Sequence, residues 1–105
     1  MSLLKICKEA NDMFRQHGVL RYDVFKLSNT DVSMEGFTNI ATTVAATQDE
    51  EVWVESLHYR DHQHMTEVMG KIEKDERMGP MMKQSADLLP SGAKFIVGDF
   101  ERLGV

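Results

Sequence analysis

The chain has 105 residues, 42% of them apolar and 28% charged, with a formal net charge of -5. That size and composition predict a single globular domain over residues 1–105, and the acidic balance argues against a nucleic-acid surface, which needs lysine and arginine to neutralise phosphates. The lone Cys7 excludes an internal disulfide and fits a reducing, cytoplasmic setting; no apolar run reaches the roughly 18 residues of a membrane span, and Lys5 and Lys8 interrupt any leader-like stretch.

Ser2 to His17 predicts a helix, because Leu3, Ile6, Cys7, Ala10, Met13, Phe14 and His17 fall in one arc. Ser2 is placed to cap its start, and Gly18 follows its end. Val19 to Ser28 reads as a strand, with Leu20, Tyr22 and Val24 alternating against Arg21 and Asp23. Phe25 and Leu27 then lie on the other face, so either both faces are partly buried or a bulge shifts the register. Residues 29–36 are rich in turn formers and read as a loop. Phe37 to Ala46 fits a short helix or an irregular turn.

Glu51 to Tyr59, EVWVESLHY, is a clear strand pattern, and Asp61 to Lys74 a second helix with Met65, Val68, Met69 and Ile72 on one stripe. Gly79-Pro80 and Pro90-Ser91-Gly92 predict an irregular stretch from Met78 to Ser91. Ala93 to Arg102, AKFIVGDFER, reads as a last strand. The order helix, strand, strand, helix, strand is that of an α+β, ferredoxin-like antiparallel sheet with its first strand missing and two helices on one face. The other face, assigned Trp53 and Leu57, is too apolar to stay wet, so a homodimer through that face is expected.

Leu57 to Met65, LHYRDHQHM, concentrates three histidines in nine residues. Asp61 is placed to cap the second helix, and His64 at its third position can reach back toward the cap. His62 and His64 point about 200° apart on a helix, so they cannot share one ion, and the i, i+4 spacing of a zinc helix is absent. No metal site is expected, and no nucleotide, phosphate or paired-cysteine motif signals a cofactor. Glu55 is the best catalytic candidate: alternation interleaves its carboxylate among Trp53, Leu57 and Tyr59. Two readings remain. Glu55 either pairs with an arginine across an interface, or works as acid or base in a cavity with Trp53 as an apolar wall and Tyr59 and His64 orienting a small molecule. Cys7 and His17 read as buried-stripe residues, and the methionines near Met78 as an adaptable contact.

Gln16-His17-Gly18-Val19-Leu20-Arg21-Tyr22, Phe37, the strand ending at Tyr59, Asp61-x-x-His64, Asp75-x-Arg77-Met78 and Lys94 to Glu101 together resemble the YbaA-like family of small bacterial proteins of unknown function. The resemblance implies a dimeric α/β-barrel type of assembly, in which two ferredoxin-like units pair through their sheets. It implies no established reaction; relatives in that wider superfamily include cofactor-independent oxygenases and isomerases, an analogy of fold alone. The family begins with a strand, whereas here a helix begins almost at once. The expectation is an uncharacterised dimeric domain, with a cofactor-independent enzyme or small-molecule binder near Glu55 as the alternative.

Overall fold

A repeat of apolar side chains every third or fourth residue makes the first element a helix, α1 (Leu3–Gln16), that buries Ile6, Cys7, Ala10 and Met13. The structure is a computed structural model that describes residues 2–28, 31, 34–47 and 49–104. Ser2 Oγ accepts the Lys5 N–H at 3.2 Å, satisfying one of the amides that a helix start leaves unpaired. The helix stops at Gly18, whose φ of +110° is open to glycine and hostile to side chains. The turned chain brings Val19 back over α1, its N–H bonding to Phe14 O at 3.0 Å.

Two strands follow, β1 (Arg21–Lys26) and, after the short helix α2 (Ile40–Thr43), β2 (Trp53–His58). They pair antiparallel, with Tyr22 opposite Leu57, Val24 opposite Glu55 and Lys26 opposite Trp53. The expected turn or short helix over 37–46 is thus a four-residue helix, capped by Asn39 Oδ1 on the Thr42 N–H at 2.8 Å. The loop expected over 29–36 lies partly outside the described residues, which omit 29, 30, 32 and 33.

The sequence-based assignment of sheet faces is overturned. Tyr22 and Leu57 pack on the core cluster Met13, Val19, Val68 and Ile72, and the Tyr22 ring meets Phe14 of α1 edge-on at 5.1 Å. The face carrying Trp53, Glu55 and Leu57 is therefore turned toward this chain's own helices. Burial selects it: Tyr22 and Leu57 gain packing against two helical stripes at once. The uncovered face carries Arg21, Asp23 and Phe25 from β1 and Val54, Ser56 and His58 from β2, since neighbours in a strand alternate sides.

The helix α3 (His62–Glu73) completes the core with Val68 and Ile72, each 2% exposed. A second departure from expectation follows it. Residues expected to be irregular form α4 (Met78–Leu88). Gly79 and Pro80 fall in its first turn, where the amide that proline lacks has no helical partner anyway, so the pair does not break the helix. Met78 and Met81 use this helix to reach the core. A third departure concerns Ala93 to Arg102, which forms no strand. Its alternation is suitable, but a strand needs another to pair with. From Lys94 to Gly104 no backbone group bonds to the backbone of another described residue. Phe95, Ile96, Val97 and Phe100 accordingly stand 74–95% exposed. What holds is the coarse architecture: an α+β chain with a two-stranded antiparallel sheet and four helices among the described residues.

Candidate functional site

The histidine-rich stretch is the hinge from β2 into α3. Asp61 Oδ1 accepts the His64 N–H at 2.8 Å, and His64 Nδ1 accepts the Arg60 N–H at 3.0 Å. These two bonds satisfy one amide within the helix and one before it, a variant of the capping box in which the third helical residue reaches the amide ahead of the cap instead of the cap's own. The second also places the imidazole proton on Nε2. His64 is 8% exposed, under the edge of Tyr59 at 6.0 Å between ring centres. The Tyr59 hydroxyl donates in turn to Met69 Sδ at 3.5 Å. Burial, then the charge of Asp99, pushes the Tyr59 hydroxyl above its usual pKa.

The three histidines separate. His62 is exposed on α3, and His58 lies on the uncovered sheet face, its Nε2 at 2.8 Å from Ser56 Oγ and 4.0 Å from Asp23 Oδ2. Serine and aspartate meet the same ring nitrogen, so this is no relay; a nucleophilic triad needs them on opposite nitrogens. Asp23 is also engaged by Arg21 at 2.6 Å. Among the described residues no three of His, Cys, Asp and Glu converge as metal ligands.

Glu55 sits on the helix-facing side of β2, exposed at the rim. Its Oε1 accepts from Tyr22 Oη at 2.9 Å and from Cys7 Sγ at 3.7 Å. Among the described residues no arginine is bonded to it. Burial first, and then the neighbouring Glu55 carboxylate, drive the Tyr22 hydroxyl far above its usual pKa. Burial likewise raises the Cys7 thiol, which leaves little thiolate for attack. The trio is one acceptor with two donors that keep their protons: fit to hold a polar group, unfit to supply a sulfur nucleophile. Trp53 is half-buried two residues away, its Nε1–H donating to Glu51 Oε2 at 2.9 Å. Leu57, packed in the core, separates Glu55 from Tyr59 and His64. Neither of two surface depressions gathers the candidates. One of about 590 Å³ is lined by Asn11, Asp12, Arg15 and Gln16; one of about 290 Å³ lies on the uncovered sheet face between Phe25, Leu27, Val52, Val54 and Ile40.

The densest polar network lies elsewhere. Asp75, between α3 and α4, accepts from the Arg77 N–H at 2.8 Å, Arg77 Nη2 at 2.7 Å and His17 Nε2 at 2.6 Å. Arg77 Nη2 also donates to Gln16 Oε1 at 2.8 Å. The Arg77 side chain first, then His17, then the Arg77 amide, hold the Asp75 carboxyl well below the usual carboxylate range. Gly18 is part of the same corner: a methyl in place of its hydrogen would stand 3.2 Å from Val68 Cγ2 and 3.4 Å from His64 Nε2. Gln16 and His17 thus meet Asp75 and Arg77 in a clasp that ties the end of α1 to the α3–α4 junction, while the next residue, Gly18, packs beside Val68 and His64 farther along α3. Sequence reasoning placed His17 on the buried stripe but missed its partner, 58 residues away.

A family described as "Protein of unknown function (DUF1428)" matches residues 2–88. No curated protein matches the chain, and no solved structure matches it.

Proposed function

We propose, from the premise that the chain belongs to the DUF1428 family of proteins of unknown function, that it is a cytoplasmic homodimer whose copies meet through the uncovered face of the β1–β2 sheet. No reaction is identified for it. The observation that carries the proposal is the apolar half of that face. Phe25 and Val54 are 55% and 43% exposed, beside Ile40 at 44%, around the 290 Å³ depression. A contiguous apolar patch is the usual mark of an interface, and a two-fold axis would bury it against its own copy. The helices on the opposite face support a ferredoxin-like unit, and two copies meeting sheet to sheet would make a dimeric barrel of such units. Light scattering at micromolar concentration tests this: a dimer mass, falling to a monomer in Phe25→Lys/Val54→Lys, is expected. A monomer mass for the unaltered chain overturns it.

A second reading is favoured by the Tyr22–Glu55 hydrogen bond. Glu55 would act, without a cofactor, as acceptor, acid or base for a small polar molecule, as in a cofactor-independent oxygenase or isomerase. Trp53 would form the wall, and Tyr59 and His64, set apart from Glu55 by Leu57, would orient only a ligand long enough to pass that side chain. Amide shifts at Glu55, Trp53 and Tyr59 on titration with small carbonyl compounds, lost in Glu55→Gln, would support it. An unchanged spectrum across such a series sinks it. No helix among the described residues is long and apolar enough to cross a membrane.

A further inference from the structure

The uncovered face of the β1–β2 ladder changes character along its length. The register sets Phe25 opposite Val54, Asp23 opposite Ser56 and Arg21 opposite His58, and residues two apart in a strand share a face. The apolar pair that carries the dimer reading is thus continuous with a polar pair and then a basic one. Within that polar end Arg21 Nε meets Asp23 Oδ2 at 2.6 Å. His58 Nε2 lies 2.8 Å from Ser56 Oγ and 4.0 Å from the same carboxylate oxygen. With the imidazole neutral, the cluster holds one cation and one anion, and its charge is balanced.

Neighbouring elements supply no further anion to the ring. β1 brings Arg21 and Asp23, and beyond His58 the chain adds Arg60, another cation. The helix α2 reaches this face through Ile40, but its residues Ile40 to Thr43 carry no titratable side chain. The helices α1, α3 and α4 pack on the other side, around Tyr22 and Leu57.

We propose that His58 makes the pairing of two copies pH-dependent: the dimer forms with this imidazole neutral and comes apart when it is protonated. The inference rests on the dimer reading given above and adds its regulation. A stable interface covers about 800 Å² on each partner, and Phe25, Val54 and Ile40, each about half exposed, fall well short of that. Contact through this face therefore extends over Asp23, Ser56, Arg21 and His58. A proton on His58 sets a second cation opposite Arg21, while Asp23 is already engaged. Covering the cluster then leaves one unbalanced charge per copy away from water, which is costly. In the single chain that charge stays hydrated, because His58 is half-exposed. Separate chains therefore hold the proton more tightly than the dimer does, and falling pH shifts the equilibrium toward them. Imidazole is the side chain that ordinarily changes charge between about pH 5 and 8, which places the switch in that window.

Sedimentation velocity of the full chain, over a dilution series at about pH 7.5 and about pH 5.5, tests this. Expected is a dimer whose dissociation constant is at least tenfold higher at the lower pH. His58→Gln, which stays neutral and can still bond Ser56, should show the same constant at both. Arg21→Gln should reverse the sign: with Asp23 freed of its arginine, a protonated His58 balances it, and acid tightens the dimer. A dimer equally stable at both pH values, or a shift that survives in His58→Gln, overturns the inference and leaves the dimer reading standing. A shift of unchanged direction in Arg21→Gln overturns it too. A monomer mass at both pH values overturns the dimer reading and this inference together.

Discussion

At residue 18 the chain has room for hydrogen and little else. Its φ of +110° disfavours any side chain, and Val68 and His64 close the space where one would start. Gly18→Ala should therefore destabilise the fold by about 1–3 kcal/mol, read as a lower urea midpoint with unchanged slope. Asp75 predicts a pH effect. Its carboxyl is held low by Arg77, His17 and the Arg77 amide, so its folded pKa lies below its unfolded one. The stability it contributes is fully present above about pH 4, the unfolded carboxylate value, and is lost as pH falls toward the lower folded value. Asp75→Asn should flatten that acid limb; unfolding curves from pH 2 to 6 measure it. An unaltered acid limb would show that the clasp contributes nothing through charge.

At the scale of elements, the sequence was legible wherever a signal was local. The stripe of α1, the alternation of Glu51 to Tyr59 and the Asp61 cap all depend on residues within a few positions, and each formed where expected. The failures were contextual. Gly79-Pro80 reads as a break until the helix start is placed ahead of it, and AKFIVGDFER reads as a strand until the lack of a paired neighbour is seen. The faces of β2 could not be assigned because alternation separates two sets of residues without saying which set meets the helices. Alternation interleaves Glu55 among apolar neighbours, but it does not reveal the donors Tyr22 and Cys7, which lie 33 and 48 residues away. The hinge into α3 gives the prediction proper to this scale. Asp61→Ala should cost about 0.5–2 kcal/mol as a lost cap. His64→Ala should weaken the same corner, and the double variant should lose less than the two separate losses combined, because both bonds hold the one turn from Arg60 to His64. Additive losses in thermal unfolding would show two independent contacts instead.

Across the whole molecule, order is unevenly shared. The core unites α1, the sheet, α3 and α4 around Met13 and Val68, whereas residues 94–104 have neither backbone pairing nor burial. Segments of that kind are where proteases cut first. Chymotrypsin should cleave after Phe95 and Phe100 while the helical circular dichroism is intact, with mass spectrometry reporting the sites. Early cleavage after Phe14 or Tyr22 would contradict this division.

The bond from the Tyr59 hydroxyl to Met69 Sδ carries a consequence for redox chemistry. Met69 is 40% exposed, whereas Met13 is sealed at 0%. Peroxide thus reaches the first thioether and spares the second. A sulfoxide there would give Tyr59 an oxygen in place of a weak sulfur acceptor, and the ring that covers His64 would be gripped more tightly by the damage.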